Sequence, residues 1–135
     1  MEPEKAEEFD LKKMLADYME NGLLENIIDM FKHDISLYEY VSDLMTDERM
    51  RVRIGTIALL ETLKKEDPQN IGKAVRSITP SLKDENPLIR GDAVYVLGLI
   101  GDQSTIPLLD EIANDADAGV RVIVQEAIHD IQSNY

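Results

Sequence analysis

Asp84-Glu85-Asn86-Pro87-Leu88-Ile89-Arg90-Gly91-Asp92-Ala93, continuing through Val96-Leu97 to Ile100-Gly101, holds a turn, a helix start and a one-sided apolar stripe in a single run. Asn86 before Pro87 signals a helix start: a side-chain acceptor for free N–H groups, then a residue with no N–H to leave unpaired. Ile89, Ala93, Val96, Leu97 and Ile100 recur at helical spacing, so they share one face.

The arrangement occurs twice more. Asp47 and Arg53 stand six apart, as do Asp84 and Arg90, and Asp115 and Arg121. Beside each arginine runs an equivalent stripe: Val52, Thr56, Leu59, Leu60 and Leu63 in one copy, Val120, Val124, Ala127, Ile128 and Ile131 in the other. A unit that recurs in register buries its face by stacking on its neighbours. The pattern predicts an all-α fold, a short right-handed α-solenoid of about four helical hairpins.

Punctuation divides the chain accordingly. Residues 1–9 read as a frayed acidic N-terminus, and residues 10–135 as one repeat domain. Residues 10–33 form a capping hairpin, with Leu11, Met14, Leu15 and Tyr18, then Leu23, Ile27, Met30 and Phe31, facing inward. Three repeats follow at 34–66, 67–101 and 102–135. Asp67 before Pro68 is expected to cap a helix, Pro80 to disturb its last turn, and Gly101 to end the helix that holds Arg90. Asp102 and Asp117 are candidate caps for the helices after them. No alternating strand pattern interrupts this reading.

Charge restricts the partners. The net charge is −13, with 14 acids and 5 bases in residues 1–50 against 13 and 9 in residues 51–135. Such a surface repels nucleic-acid phosphates and anionic lipid, and favours a protein or peptide partner of basic character. There is no cysteine, hence no disulfide or thiolate metal site. No apolar run approaches the ~20 residues of a membrane span. The expectation is a soluble, cytoplasmic, monomeric protein.

The run from Leu82 to Asp102, together with Ile106-Pro107-Leu108-Leu109, resembles the HEAT-like repeat of the phycobilisome (bilin) lyase type. The likeness is closest over residues 82–113, weaker over 44–65 and 114–131, and absent from the first 33. It implies that the turn acid and the arginine of each repeat form a hydrogen-bonded ladder between units, a structural role for Asp47, Arg53, Asp84, Arg90, Asp115 and Arg121. At the first hairpin Tyr18 and Leu24 occupy the two ladder positions, so the ladder is expected to stop there, as at a terminal cap.

Catalysis finds little support. Three Asp/Arg pairs at one repeated position fit a packing device better than an active site. His33-Asp34 and His129-Asp130 offer imidazole beside carboxylate, but at opposite ends of the solenoid, too far apart for one metal. The serines have no G-x-S-x-G setting, and no phosphate-binding glycine loop occurs. The sequence therefore predicts no enzyme, no cofactor and no metal.

The remaining surface is the side of each second helix away from its core stripe, the concave side in solenoids of this kind. Helical angle places Ile54, Ala58 and Glu61, then Gly91, Tyr95 and Gly98, then Val122, Glu126 and His129 on it. Tyr95, an amphipathic aromatic beside glycine backbone and bordered by Ile54 and Val122, has the makeup of a binding hot spot. Two functions are consistent with this face: a non-enzymatic protein-binding scaffold or adaptor, and, through the lyase resemblance, an accessory subunit of a cofactor-attachment or modifying enzyme that works with a partner chain.

Overall fold

Asp10 accepts the backbone N–H of Lys13 at 3.0 Å and so opens α1 (Leu11–Glu20), the first element of a computed structural model that describes residues 10–133. The acidic segment expected to fray at 1–9 lies outside the described residues, as do the last two residues of the 102–135 unit. Gly22, at φ 77°, turns the chain through the left-handed region that a side chain disfavours, and α2 (Leu24–His33) packs back on α1. A 3₁₀ segment, Ile35–Tyr40, leads into α3 (Val41–Met45), and α4 (Met50–Glu66) follows. Next come Pro68–Asn70 in 3₁₀ form, α5 (Ile71–Ile78), a second 3₁₀ stretch over Thr79–Lys83, and α6 (Pro87–Ile100). Gln103–Thr105, α7 (Ile106–Asp110) and α8 (Ala118–Ser133) complete the order. Among the described residues all regular structure is helical, and the chain forms a short α-solenoid.

Long unbroken second helices, α4, α6 and α8, thus alternate with short first helices interrupted by 3₁₀ turns. Pro80 accounts for one interruption: it has no N–H to continue the α-ladder, so α5 stops at Ile78. Asn86 accepts the Leu88 N–H at 3.0 Å, and Asp117 accepts the Val120 N–H at 3.0 Å, each at its helix start. Gly101 ends α6 by donating its N–H to the Leu97 carbonyl at 2.8 Å. A Cβ there would lie 2.6 Å from Thr105 Oγ1, so the crowding, not an unusual φ, requires glycine.

The core is one continuous cluster running from Leu15 to Ile131. Val52, Thr56, Leu59, Leu60 and Leu63 are all buried, with the Thr56 hydroxyl donating to the Val52 carbonyl at 2.7 Å. Ile89 and Ile128 are only half-buried, while Val94, outside the expected stripe, is fully buried because α6 is packed by α4 on one side and α8 on the other.

Three expectations fail. Leu23 does not face inward: it precedes α2, which opens at Leu24, and is 40% exposed. Tyr18 does not face inward but is 36% exposed; Ala16 and Met19 are buried instead, because Met19 lies over Gly55 of α4, where a Cβ would collide with its sulfur. Asp67 does not cap the segment after it. Its carboxylate is buried and accepts the Tyr38 hydroxyl at 2.7 Å and the Asn70 amide at 3.0 Å. Burial, then this hydrogen bond, hold the Tyr38 hydroxyl well above the ordinary tyrosine range. Phe31 of α2 meets the Tyr38 ring edge-on at 5.2 Å, which joins the N-terminal hairpin to the first repeat.

Candidate functional site

The repeated acids and arginines make two kinds of bond. Asp47, Asp84 and Asp115 each accept the backbone N–H two residues on, from Arg49, Asn86 and Asp117, at 2.8, 2.8 and 2.9 Å. Each arginine six residues later donates Nη1 to the carbonyl of that same aspartate, at 2.7, 2.8 and 2.6 Å for Arg53, Arg90 and Arg121. The six-residue register is therefore a clamp within each turn: the acid shapes the loop and the arginine ties the loop to its helix. Arg90 adds a rung between repeats, reaching both Asp115 carboxylate oxygens at 2.8 Å. That guanidinium, then the Asp117 N–H, hold the Asp115 carboxyl below the usual carboxylate range.

The ladder is shorter at one joint and longer at another than the repeat pattern implies. Among the described residues Arg53 forms no hydrogen bond or ion pair with Asp84, so the rung between the first two repeats is open. The Arg53 charge acts on Asp92, an exposed residue whose carboxyl is raised by partial desolvation and pulled back by that charge. Toward the N-terminus the ladder does not stop at Tyr18 and Leu24. Arg49 pairs with Asp47 through Nε and Nη2 at 3.0 and 3.2 Å and reaches Asp17 of α1 through Nη1 at 3.0 Å. Asp17 also accepts Lys13 Nζ of its own helix at 2.7 Å, so Arg49 adds from the turn the arginine bond that the first hairpin lacks.

The second-helix face carries most of the residues expected on it, but not as one patch. Ile54, Tyr95 and Val122 are 59%, 50% and 57% exposed, Glu61, Glu126 and His129 are exposed, and Ala58 is half-buried. Gly91 and Gly98 are buried, which corrects their placement as open backbone beside Tyr95. A Cβ on Gly98 would lie 2.8 Å from Ala127 Cβ, and one on Gly91 would lie 3.2 Å from Ile123 Cδ1. These glycines let α6 and α8 approach closely, and α8 covers them.

What is left is a set of shallow depressions. Tyr95 of α6 and Ile123, Glu126, Ala127, His129 and Asp130 of α8 line one of about 550 Å³. Ala58 and Glu61 line another, about 790 Å³, with Lys64, Lys65, Glu66 and Leu99. Met50 and Leu88, 64% and 75% exposed, were not expected here. They occupy the first turns of α4 and α6, off the core stripe.

Neither histidine sits in a ligand set. His33 Nδ1 pairs with the Asp29 carbonyl at 2.8 Å, and His129 Nε2 lies 3.5 Å from Ser133 Oγ. Among the described residues no group of three or more His, Asp or Glu side chains is placed to hold a metal, and no helix is long and apolar enough to cross a membrane.

Comparison with curated proteins finds no match. Residues 38–129, more than half of the chain, match the model of the family described as HEAT repeats; the match begins at Tyr38, after the hairpin formed by α1 and α2. With its turn clamps, stacked hairpins and this match, the chain belongs to the HEAT repeat family.

Proposed function

We propose that this protein is a non-enzymatic, cytoplasmic, monomeric scaffold that binds a protein or peptide on the concave face formed by α4, α6 and α8. HEAT repeats commonly serve as protein-interaction scaffolds. The observation that carries the reading is the set of large apolar side chains left exposed on that layer, Met50, Ile54, Leu88, Tyr95 and Val122, outside a core that is already closed. Exposed apolar residues gathered on one layer support an interaction surface, and Tyr95 is the strongest anchor among them. The net charge of −13 favours a basic partner.

Capture of partner by immobilised protein tests this. Tyr95→Ala is expected to weaken capture by about 2 kcal/mol while leaving the melting temperature unchanged. Lys73→Ala, on α5, is expected to change neither, and higher salt to weaken capture by screening. If Tyr95→Ala captures as well as Lys73→Ala, this face is not the interface.

The lyase-type likeness of residues 82–113 supports a second reading, an accessory subunit of a cofactor-attachment or modifying enzyme. A co-purifying chain that carries a tetrapyrrole would favour it; a stable complex without a chromophore would favour the scaffold.

A further inference from the structure

We infer that the groove between Tyr95 of α6 and Glu126 and Asp130 of α8 is the seat for a basic side chain of the partner, arginine above all. The inference rests on the scaffold reading and names what that surface recognises. Its materials are an apolar floor, an aromatic wall, two carboxylates and the imidazole of His129 beside them. Ile123 and Ala127 form the floor, and Tyr95, half exposed, stands at the side. Glu126 and Asp130 are four residues apart on α8, so they project from one helix face a turn apart.

Charge decides the occupant. Asp17, Glu20, Asp43, Asp47, Glu66 and Asp115 each have a lysine or arginine within 3.9 Å. Among the described residues Glu126 and Asp130 have none, and no lysine or arginine lines their groove. The neighbouring groove on α4 differs, because two lysines, Lys64 and Lys65, line it together with Glu61 and Glu66. A cation arriving on the second-helix face therefore finds uncompensated negative charge at the α8 end and cationic competition at the α4 end.

Arginine fits each part of the α8 groove. Its methylene stem covers the Ile123 and Ala127 floor, its planar guanidinium stacks on the Tyr95 ring, and its remaining N–H donors reach the carboxylates in a forked geometry. A neutral polar side chain of the same shape gains the stacking but not the charge. An acidic one is repelled.

The probe is an alanine-based helical peptide with two arginines four residues apart, titrated into the ¹⁵N-labelled full chain beside a twin peptide carrying citrulline in place of arginine. The expected result is amide shifts concentrated at Tyr95 and residues 123–130, with the citrulline twin at least about 10-fold weaker. A variant carrying Glu126→Gln and Asp130→Asn, both exposed and without an ion pair among the described residues, is expected to melt like the wild type and to lose the same discrimination. Equal affinity for the two peptides, shifts centred on residues 58–66 instead, or no shifts at millimolar peptide would overturn the inference. The scaffold reading is judged apart from it: partner capture that requires Tyr95 but survives the Glu126→Gln, Asp130→Asn variant refutes the basic seat and leaves the scaffold standing. Capture that is indifferent to both refutes both.

Discussion

Arg90 and Asp115, 25 residues apart, are joined by two parallel hydrogen bonds, Nε to Oδ2 and Nη2 to Oδ1, each 2.8 Å long. The remaining donor edge of the same guanidinium reaches the Asp84 and Glu85 carbonyls at 2.8 and 3.1 Å. One side chain thus closes its own turn and fastens it to the next. Only a planar fork of fixed donors serves both directions at once, which a lysine ammonium on a flexible stem cannot do.

Loss of that side chain strands Asp115, whose side chain is only 8% exposed, without its cation. Arg90→Ala is expected to lower the melting temperature by roughly 5–10 °C, and Arg90→Lys to recover part of the loss. Arg53→Ala should cost less, since Arg53 holds a carbonyl but closes no rung to Asp84. Thermal melts followed by circular dichroism decide the order; an Arg90→Ala melt indistinguishable from that of Lys73→Ala would remove the rung from the account of stability.

The rung also has a pH signature. Asp115 is held below its ordinary value in the folded protein, so on acidification the unfolded chain takes up its proton first. The stabilisation is complete above the unfolded aspartate value of about 3.9 and is lost as pH falls through the folded value. The gap in melting temperature between wild type and Arg90→Ala should therefore be constant from pH 7 to about 5 and shrink below about pH 4. The difference cancels Asp92, whose raised carboxyl acts with the opposite sign. A gap that does not change with pH would mean that the two side chains contribute packing and not charge.

The N-terminal hairpin covers the end of the core. Phe31 and Tyr38 are 0% and 1% exposed in the intact protein, and α1 and α2 both pack on α4. Removing residues 1–33 uncovers that surface together with Gly55, where Met19 sits. The truncated protein is expected to self-associate, while removal of residues 1–8 alone leaves a monomer. Light scattering at matched concentration compares them; two equally monomeric proteins would make the hairpin an appended arm.

Glycine at the α6–α8 contact separates core from surface. Gly98→Ala gains up to ~1 kcal/mol of helix propensity but places a Cβ against the Ala127 backbone, and overpacking costs ~1–3 kcal/mol, so a net loss is expected. At Gly91 the obstacle is the far end of the Ile123 side chain, which can swing aside, so Gly91→Ala should stay within about 0.5 kcal/mol of the wild type. Urea unfolding measures both. Equal and small effects would show that α6 and α8 are free to move apart.

Much of the fold was legible because its signals are local. The stripes of Val52 to Leu63 and Val120 to Ile131 repeat with the helical period, and Asn86-Pro87 announces a helix start through backbone chemistry that any reader of the sequence can apply. The site was legible only in outline. Exposure of Tyr95, Ile54 and Val122 follows from helical angle, but burial of Gly91 and Gly98 depends on the approach of α8, which periodicity does not measure. The bond from Tyr38 to Asp67 spans 29 residues and that from Arg49 to Asp17 spans 32, and neither has a signature in the intervening chain.

By itself the sequence determined that helical units repeat, which face of each second helix turns inward, and at which positions the acid and arginine of each unit recur, since these depend on spacings of a few residues along one helix. Tertiary structure alone decided which rungs close, which carboxylates remain without a cation, and where an aromatic ring stands beside them. Those outcomes depend on distances between helix axes, set jointly by all the side chains packed between them, and a difference of an ångström or two separates a guanidinium that reaches its carboxylate from one that does not.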